Sequence, residues 1–193
     1  RGHPPAADAK QAVSMLVRLS VPATAEDDLT RSGLVPEPNY GGQFQDAAIP
    51  GIEPEGRVRV SYEPETVTFA DGHQVELRKP RLEFSDLAYG EMHPAALYSA
   101  RIAPPVIGLG LLEAIPEADL LAHADPDDED GDGISGRPNR VWDRAAGTTA
   151  MGRFGWKAGQ PSLRQQNAEA FANDMGLSSH LVPTDSCAPS QVD

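Results

Sequence analysis

Cysteine is nearly absent: the 193 residues hold one, Cys187, so no internal disulfide can form. Basic side chains are scarce as well, 16 Lys and Arg against 29 Asp and Glu, for a net charge of −13. A chain this acidic lacks the clustered cations that release counterions from a phosphate backbone, which excludes nucleic acid as a partner. Aromatic residues make up 6%. Long apolar runs are missing: the most hydrophobic stretch, Ile102 to Ile115, is interrupted by Pro104, Pro105, Gly108, Gly110 and Glu113, too short and too broken to span a membrane. The opening Arg1-Gly2-His3-Pro4-Pro5 has no apolar core of a signal peptide. The first residue is not Met, and we expect an upstream part.

Glycine and proline are plentiful, 18 of each, which predicts short elements joined by irregular backbone. The hydrophobic share of 39% is enough for a packed core, and the length suits a single domain over residues 1–193. Val13 to Val21 reads as a strand or a short buried helix, which periodicity does not separate. Val35 to Pro50 reads as extended loop, broken by Pro36, Pro38, Gly41 and Gly42. From Arg57 to Lys79 apolar residues alternate in three runs, divided by Pro64 and by Asp71-Gly72, and predict a small antiparallel meander. Short helices are expected at Pro94–Ser99, Pro105–Ala114 and Glu117–His123. A longer one should start at a capping box of Ser162 and Gln165 and close at Gly176, with an apolar stripe of Leu163, Ala170, Phe171 and Met175. The expected fold is therefore an irregular α+β domain: a small meander, several short helices, long Gly/Pro-rich loops and a frayed tail over 184–193.

One segment carries distinct chemistry. Six carboxylates, Asp125, Asp127, Asp128, Glu129, Asp130 and Asp132, fall within eight consecutive positions. Held on an ordered loop they repel one another, unless the loop stays solvated or a hard cation neutralises it. Asp128, Asp130 and Asp132 followed by Gly133 fit D-x-D-x-D-G, in which alternate carboxylates converge on calcium and glycine permits the sharp turn. The loop departs from an EF-hand: Ile134 comes directly after Gly133, and Asn139 stands where a bidentate Glu would close the site. It is closer to the D-x-D-G-D-G-I-S loops of calcium-stabilised extracellular repeats. With carbonyls and water completing the shell, the expected ligand positions are Asp125, Asp127, Asp128, Asp130, Asp132, Ile134 and Asn139. Zinc fits poorly, since the loop offers no Cys or His. The expected role is structural.

Other chemistries lack their residues. His3, His73, His123 and His180 are scattered, with no H-E-x-x-H; there is no G-x-S-x-G elbow and no G-x-G-x-x-G after a strand. His93 and the preceding Met92 are residue types that serve as axial haem ligands. The run Arg153-Phe154-Gly155-Trp156-Lys157 sets an indole between two cations; Trp156 reads as a core anchor or as an electron relay near a redox centre.

These features sit in a longer pattern. The run IAPPVIGLGLLEAIPEADLLAHADPDDEDGDGISGRPNRVWD from Ile102, then GRFGWKAGQPSLRQQNAEAFANDMG, resembles the di-haem oxidoreductase family, periplasmic c-type cytochromes labelled thiol oxidoreductases or peroxidases. LVRLSVP, YGGQFQDAAIPG, EGRV and EMHPAALYSARIAP extend the likeness upstream. Family members carry two C-x-x-C-H haem-attachment motifs, and this sequence has none. RGHPP resembles the residues just after the first motif, and PTDSCAPSQ resembles those just before the second. The resemblance thus implies a middle segment of a larger protein, packed between or around haem c groups carried by flanking regions of the same polypeptide, with a redox partner protein beyond them. It implies His93, Met92, Trp156 and Trp142 as candidates for approaching haem, and an oxidising, periplasmic setting in which Cys187 pairs outside the chain. The chain alone is expected to be colourless and without peroxide turnover. The alternative is a stand-alone extracellular calcium-stabilised binding module without catalysis; a dockerin-like unit fits less well, since it needs two calcium loops.

Overall fold

The computed structural model describes residues 6, 15–184 and 187–191. It is an irregular α+β fold of short antiparallel sheets and short helices, as expected, and it divides into two compact units. The first comprises Arg1–Pro22, Pro36–Ala103 and Cys187–Asp193; the second comprises Ala23–Val35 and Pro104–Ser186.

In the first unit, Met15–Ser20 is a strand, β1, which resolves the ambiguity of that stretch; Val13 lies outside the described residues. Val17 and Leu19 alternate inward at 2% and 1% exposure, the period-2 burial of a strand with one face in the core. β1 is the centre of an antiparallel sheet between β2 (Gln43–Phe44) and a later strand, Leu97–Ile102. Before that strand comes a hairpin of β3 (Arg57–Thr68) and β4 (Gln74–Ser85), paired along its whole length from Arg57↔Ser85 to Thr68↔Gln74. Gly72 at φ 83° supplies the left-handed residue in its turn.

The expected three-run meander is thus one long ribbon. Pro64 does not divide it: each strand of a two-stranded ribbon has an open edge, and a proline whose missing N–H faces that edge costs no ladder bond. Pro64 and Pro80 fall on the same alternation, opposite Arg78 and Tyr62. Near the base Val58 and Val60 are buried, and Val58 joins Val17, Leu19, Tyr40 and Phe44 in the core, with Leu82 and Phe84 packed alongside.

The strand Leu97–Ile102, β5, replaces the helix expected at Pro94–Ser99. Pro94 and Ala95 make only a turn, closed by the Ala96 amide on the His93 carbonyl. The chain then runs antiparallel along β1, from Leu97↔Ser20 to Ile102↔Met15. Six paired residues beside a central strand outweigh the weak propensity of one isolated turn. In the tail, Pro189–Gln191 forms a 3-10 turn, Ala188 is buried, and Gln191 Nε2 donates to Glu55 Oε1.

In the second unit, α1 (Leu29–Ser32) is capped by the Asp28 carboxylate, which accepts from the Thr30 amide. α2 (Leu109–Glu113) and α3 (Glu117–Leu121) lie on either side of Pro116, which starts the latter. β6 (Arg140–Asp143) and β7 (Thr148–Met151) form a hairpin, and α4 spans Leu163–Met175. Ser162 Oγ accepts from the Gln165 amide, and Gly176 closes α4 at φ 67°. The reciprocal half of the capping box is missing. The Gln165 side chain is buried and instead donates to Trp142 O and Gln160 Oε1 while accepting from the Arg144 amide. The inward face of α4 is Gln165, Ala168 and Ala172, the alanines meeting Val182. The expected stripe is not the buried face: Leu163 and Ala170 are half-buried, and Phe171 and Met175 are 50% and 63% exposed. Small side chains let the 181–182 segment approach the helix, and the large ones take the other side.

Candidate functional sites

The acidic loop is closed at its neck by backbone. The Asp125 amide donates to the Gly136 carbonyl at 2.9 Å, and Arg137 donates to the Pro126 carbonyl from Nε and Nη2. Within the neck the chain turns tightly, with Asp128 at φ 54°, Gly131 at 72° and Gly133 at 86°. Asp tolerates that left-handed conformation better than most side chains. The Asp125 carboxylate accepts from the Glu129 amide, Asp128 from Gly133, Asp130 from Asp132, and Asp132 from Ile134.

This winding brings one carboxylate oxygen each of Asp125, Asp128 and Asp130 within 4.8 Å of one another. Three hard anionic oxygens so placed fit the donor set of calcium. Of the other expected ligand positions, Asp127 lines a concavity of about 410 Å³ together with His123, Asp125, Glu129 and Asp130. Asp132 is exposed with its Oδ1 turned to the Ile134 amide at 2.7 Å, and Ile134 itself is 69% exposed. Asn139 serves a different loop: its Nδ2 donates to the carbonyls of Lys157 and Ala158, each at 3.1 Å.

That second loop, Gly152 to Gln160, presents Trp156. The amides of Arg153 and Phe154 donate to Gln160 O, and Gln160 donates back to Phe154 O. Phe154 is buried at 2% and anchors the loop, whereas Trp156 is 56% exposed and so is no core anchor. Gly152 is required by close approach: a Cβ there would lie 1.8 Å from the Ala158 carbonyl oxygen. Trp142 lies on β6, half-buried, with the Arg31 guanidinium 5.1 Å above its ring.

Met92 and His93 belong to the first unit. Met92 packs against its core, and His93 stands exposed on the corner just beyond. The residue that fixes this corner is Glu37, which the sequence pattern places inside an extended loop. Glu37 is 1% exposed, and its carboxylate accepts three backbone amides: Asn39 and Tyr40 on Oε2, each at 2.7 Å, and His93 on Oε1 at 2.8 Å. Asn39 Nδ2 donates to Glu91 O; the Tyr40 hydroxyl donates to Gly90 O and accepts from the Tyr89 amide. The 37–40 turn thus grips the 89–93 segment along its length. The only hint in the sequence is a carboxylate between Pro36 and Pro38, two residues before Asn-Tyr-Gly.

Burial disfavours the ionised form of two further groups in this unit. Desolvation pushes the Tyr40 hydroxyl above the usual tyrosine range. Glu55, half-buried, is likewise pushed above the usual carboxylate range by desolvation, against the bonds it accepts from the Gln45 amide and Gln191 Nε2.

Covalent haem is held by thioether links to paired cysteines, with a proximal histidine, in C-x-x-C-H. The sequence offers only Cys187, and its side chain is exposed. The residues present therefore do not fit haem attachment. Among the described residues no helix is long and apolar enough to cross a membrane.

A comparison with protein families matches residues 20–192 to the model described as "Di-haem oxidoreductase, putative peroxidase". Neither curated proteins nor solved structures yield a match. With the family model covering all but the two ends, the chain belongs to the di-haem oxidoreductase family.

Proposed function

We propose that this chain is the middle segment of a periplasmic di-haem c-type oxidoreductase, packing against haem groups that flanking regions of the same polypeptide attach. The family match over residues 20–192, in a sequence without C-x-x-C-H, carries this reading. Bound haem iron supplies the electron transfer and peroxidase-like chemistry of the whole protein. The contribution of this chain is scaffold and surroundings: Met92 and His93 on the Glu37-pinned corner, and Trp142 and Trp156 in the second unit, are the haem-facing candidates. A separate redox protein is the expected electron partner.

The acidic loop serves as a structural calcium site. Asp125, Asp128 and Asp130 form its base, since their oxygens already converge; carbonyls and water complete the shell. Calcium relieves the mutual repulsion of these carboxylates and lowers the net charge from −13 to −11.

Two measurements test the reading. The complete coding sequence should encode C-x-x-C-H before Arg1 and again after Asp193, and the full-length protein should contain covalent haem. The purified 193-residue chain should show no Soret band with added haem and no peroxide turnover. A coding sequence without those cysteines, or stoichiometric haem on this chain alone, would overturn it.

A further inference from the structure

We infer that His93 is presented as a hydrogen-bond donor, through its Nε2–H, to an oxygen acceptor, and not as a lone-pair ligand to iron. The Ala95 amide donates to His93 Nδ1 at 3.1 Å. A backbone N–H has only a proton to give, so Nδ1 must be bare, and a neutral imidazole then carries its single proton on Nε2. Coordination through Nε2 requires the opposite arrangement, a bare Nε2 with the proton on Nδ1 donating to an acceptor behind the ring. Behind this ring stands another donor.

The backbone that carries the ring is held on both sides. The His93 amide is held by buried Glu37, and the His93 carbonyl accepts from the Ala96 amide at 2.8 Å. With Nδ1 occupied and the residue exposed, Nε2–H is the group left to meet a partner. A proton-bearing nitrogen on a fixed base suits an oxygen lone pair, either a haem propionate carboxylate or the oxygen of a bound oxidant. The identity of this acceptor rests on the proposed haem-facing position of His93; the tautomer does not.

The first test is nitrogen-15 NMR of the histidine-labelled full-length protein, with His93 signals assigned by their loss in His93→Gln. Nδ1 should appear unprotonated and Nε2 protonated, and the reverse pattern would overturn the inference whether or not haem is present. The second uses the haem spectra. His93→Gln keeps an N–H donor near the same reach, so the spin state of both haems should stay as in the wild type; conversion of one haem to high spin would identify His93 as a ligand and overturn the inference.

His93→Ala separates the two acceptors. A shifted haem reduction potential, restored by Gln, supports the propionate; slower peroxide consumption at unchanged potential, restored by Gln, supports the oxidant. If His93→Ala changes neither, the donor role falls. A full-length protein lacking haem would sink the proposed function and leave the tautomer measurement standing.

Discussion

Glu37 provides the sharpest test of how this fold is held. Its carboxylate is 1% exposed and accepts the amides of Asn39, Tyr40 and His93. Hydrogen bonds to a charged acceptor contribute roughly 1.5–3 kcal/mol each, and a buried amide left unpaired costs about 1–3 kcal/mol. Glu37→Ala orphans three amides at once; water entering the vacated space recovers part of the loss, and the expected destabilisation is about 4 kcal/mol. Glu37→Gln keeps one carbonyl oxygen for Asn39 and Tyr40 but turns an NH₂ toward the His93 amide, for an expected cost of about 2 kcal/mol. Urea unfolding gives the totals, and amide hydrogen exchange gives the pattern. In the glutamine variant the His93 amide should exchange about 30-fold faster while Asn39 and Tyr40 stay protected, since each 1.4 kcal/mol is tenfold. In the alanine variant all three should lose protection. Stabilities of both variants within about 0.5 kcal/mol of the wild type would refute the assignment of Glu37 as the pin of this corner.

Other consequences arise from the same geometry. Burial raises the Glu55 carboxyl above its ordinary value, so the native state binds that proton more tightly than the unfolded chain does. The contribution of Glu55 to stability is fully present below the ordinary carboxylate range and is lost as pH rises through the raised value; Glu55→Gln should remove this falling component from stability measured across mildly acidic to neutral pH. Calcium at a hundredfold excess over its dissociation constant should raise unfolding free energy by about 2.7 kcal/mol. Asp130→Ala should abolish that rise in a thermal melt, and Glu65→Ala, exposed on β3, should not; equal midpoints with calcium and with chelator would leave a solvated loop. Gly152→Ala drives a methyl into the Ala158 carbonyl and should cost roughly 3 kcal/mol or more, with Trp156 fluorescence shifting as its loop opens.

The sequence makes legible the features that neighbouring residues decide between themselves. Ser162 and Gly176 bound α4 because a cap and a left-handed glycine act within one turn, and Asp71-Gly72 turns the hairpin for the same reason. The acidic loop belongs to this class: spacing alone points to Asp128 and Asp130, which the fold brings together with Asp125. Asp132, equally marked by the spacing, is not among the three whose oxygens converge, and its Oδ1 accepts the Ile134 amide. Elements set by distant partners are not readable in this way. β5 is a strand because β1 lies beside it, and Pro64 survives within β3 because a ribbon has open edges. Ala168 and Ala172 face inward ahead of Phe171 because the 181–182 segment must come close. Glu37 is hidden for the same reason: its third amide, His93, is 56 residues away, and nothing local distinguishes a pinning carboxylate from a solvated one.

Elemental analysis of the full-length protein, purified without chelator from cells that export it and attach haem, tests the haem and calcium assignments together. Two irons and one calcium per polypeptide are expected, with calcium alone lost when Asp125, Asp128 and Asp130 are replaced together. Two irons without calcium would contradict the role given to the acidic loop, and a protein without iron would contradict its place in a haem oxidoreductase.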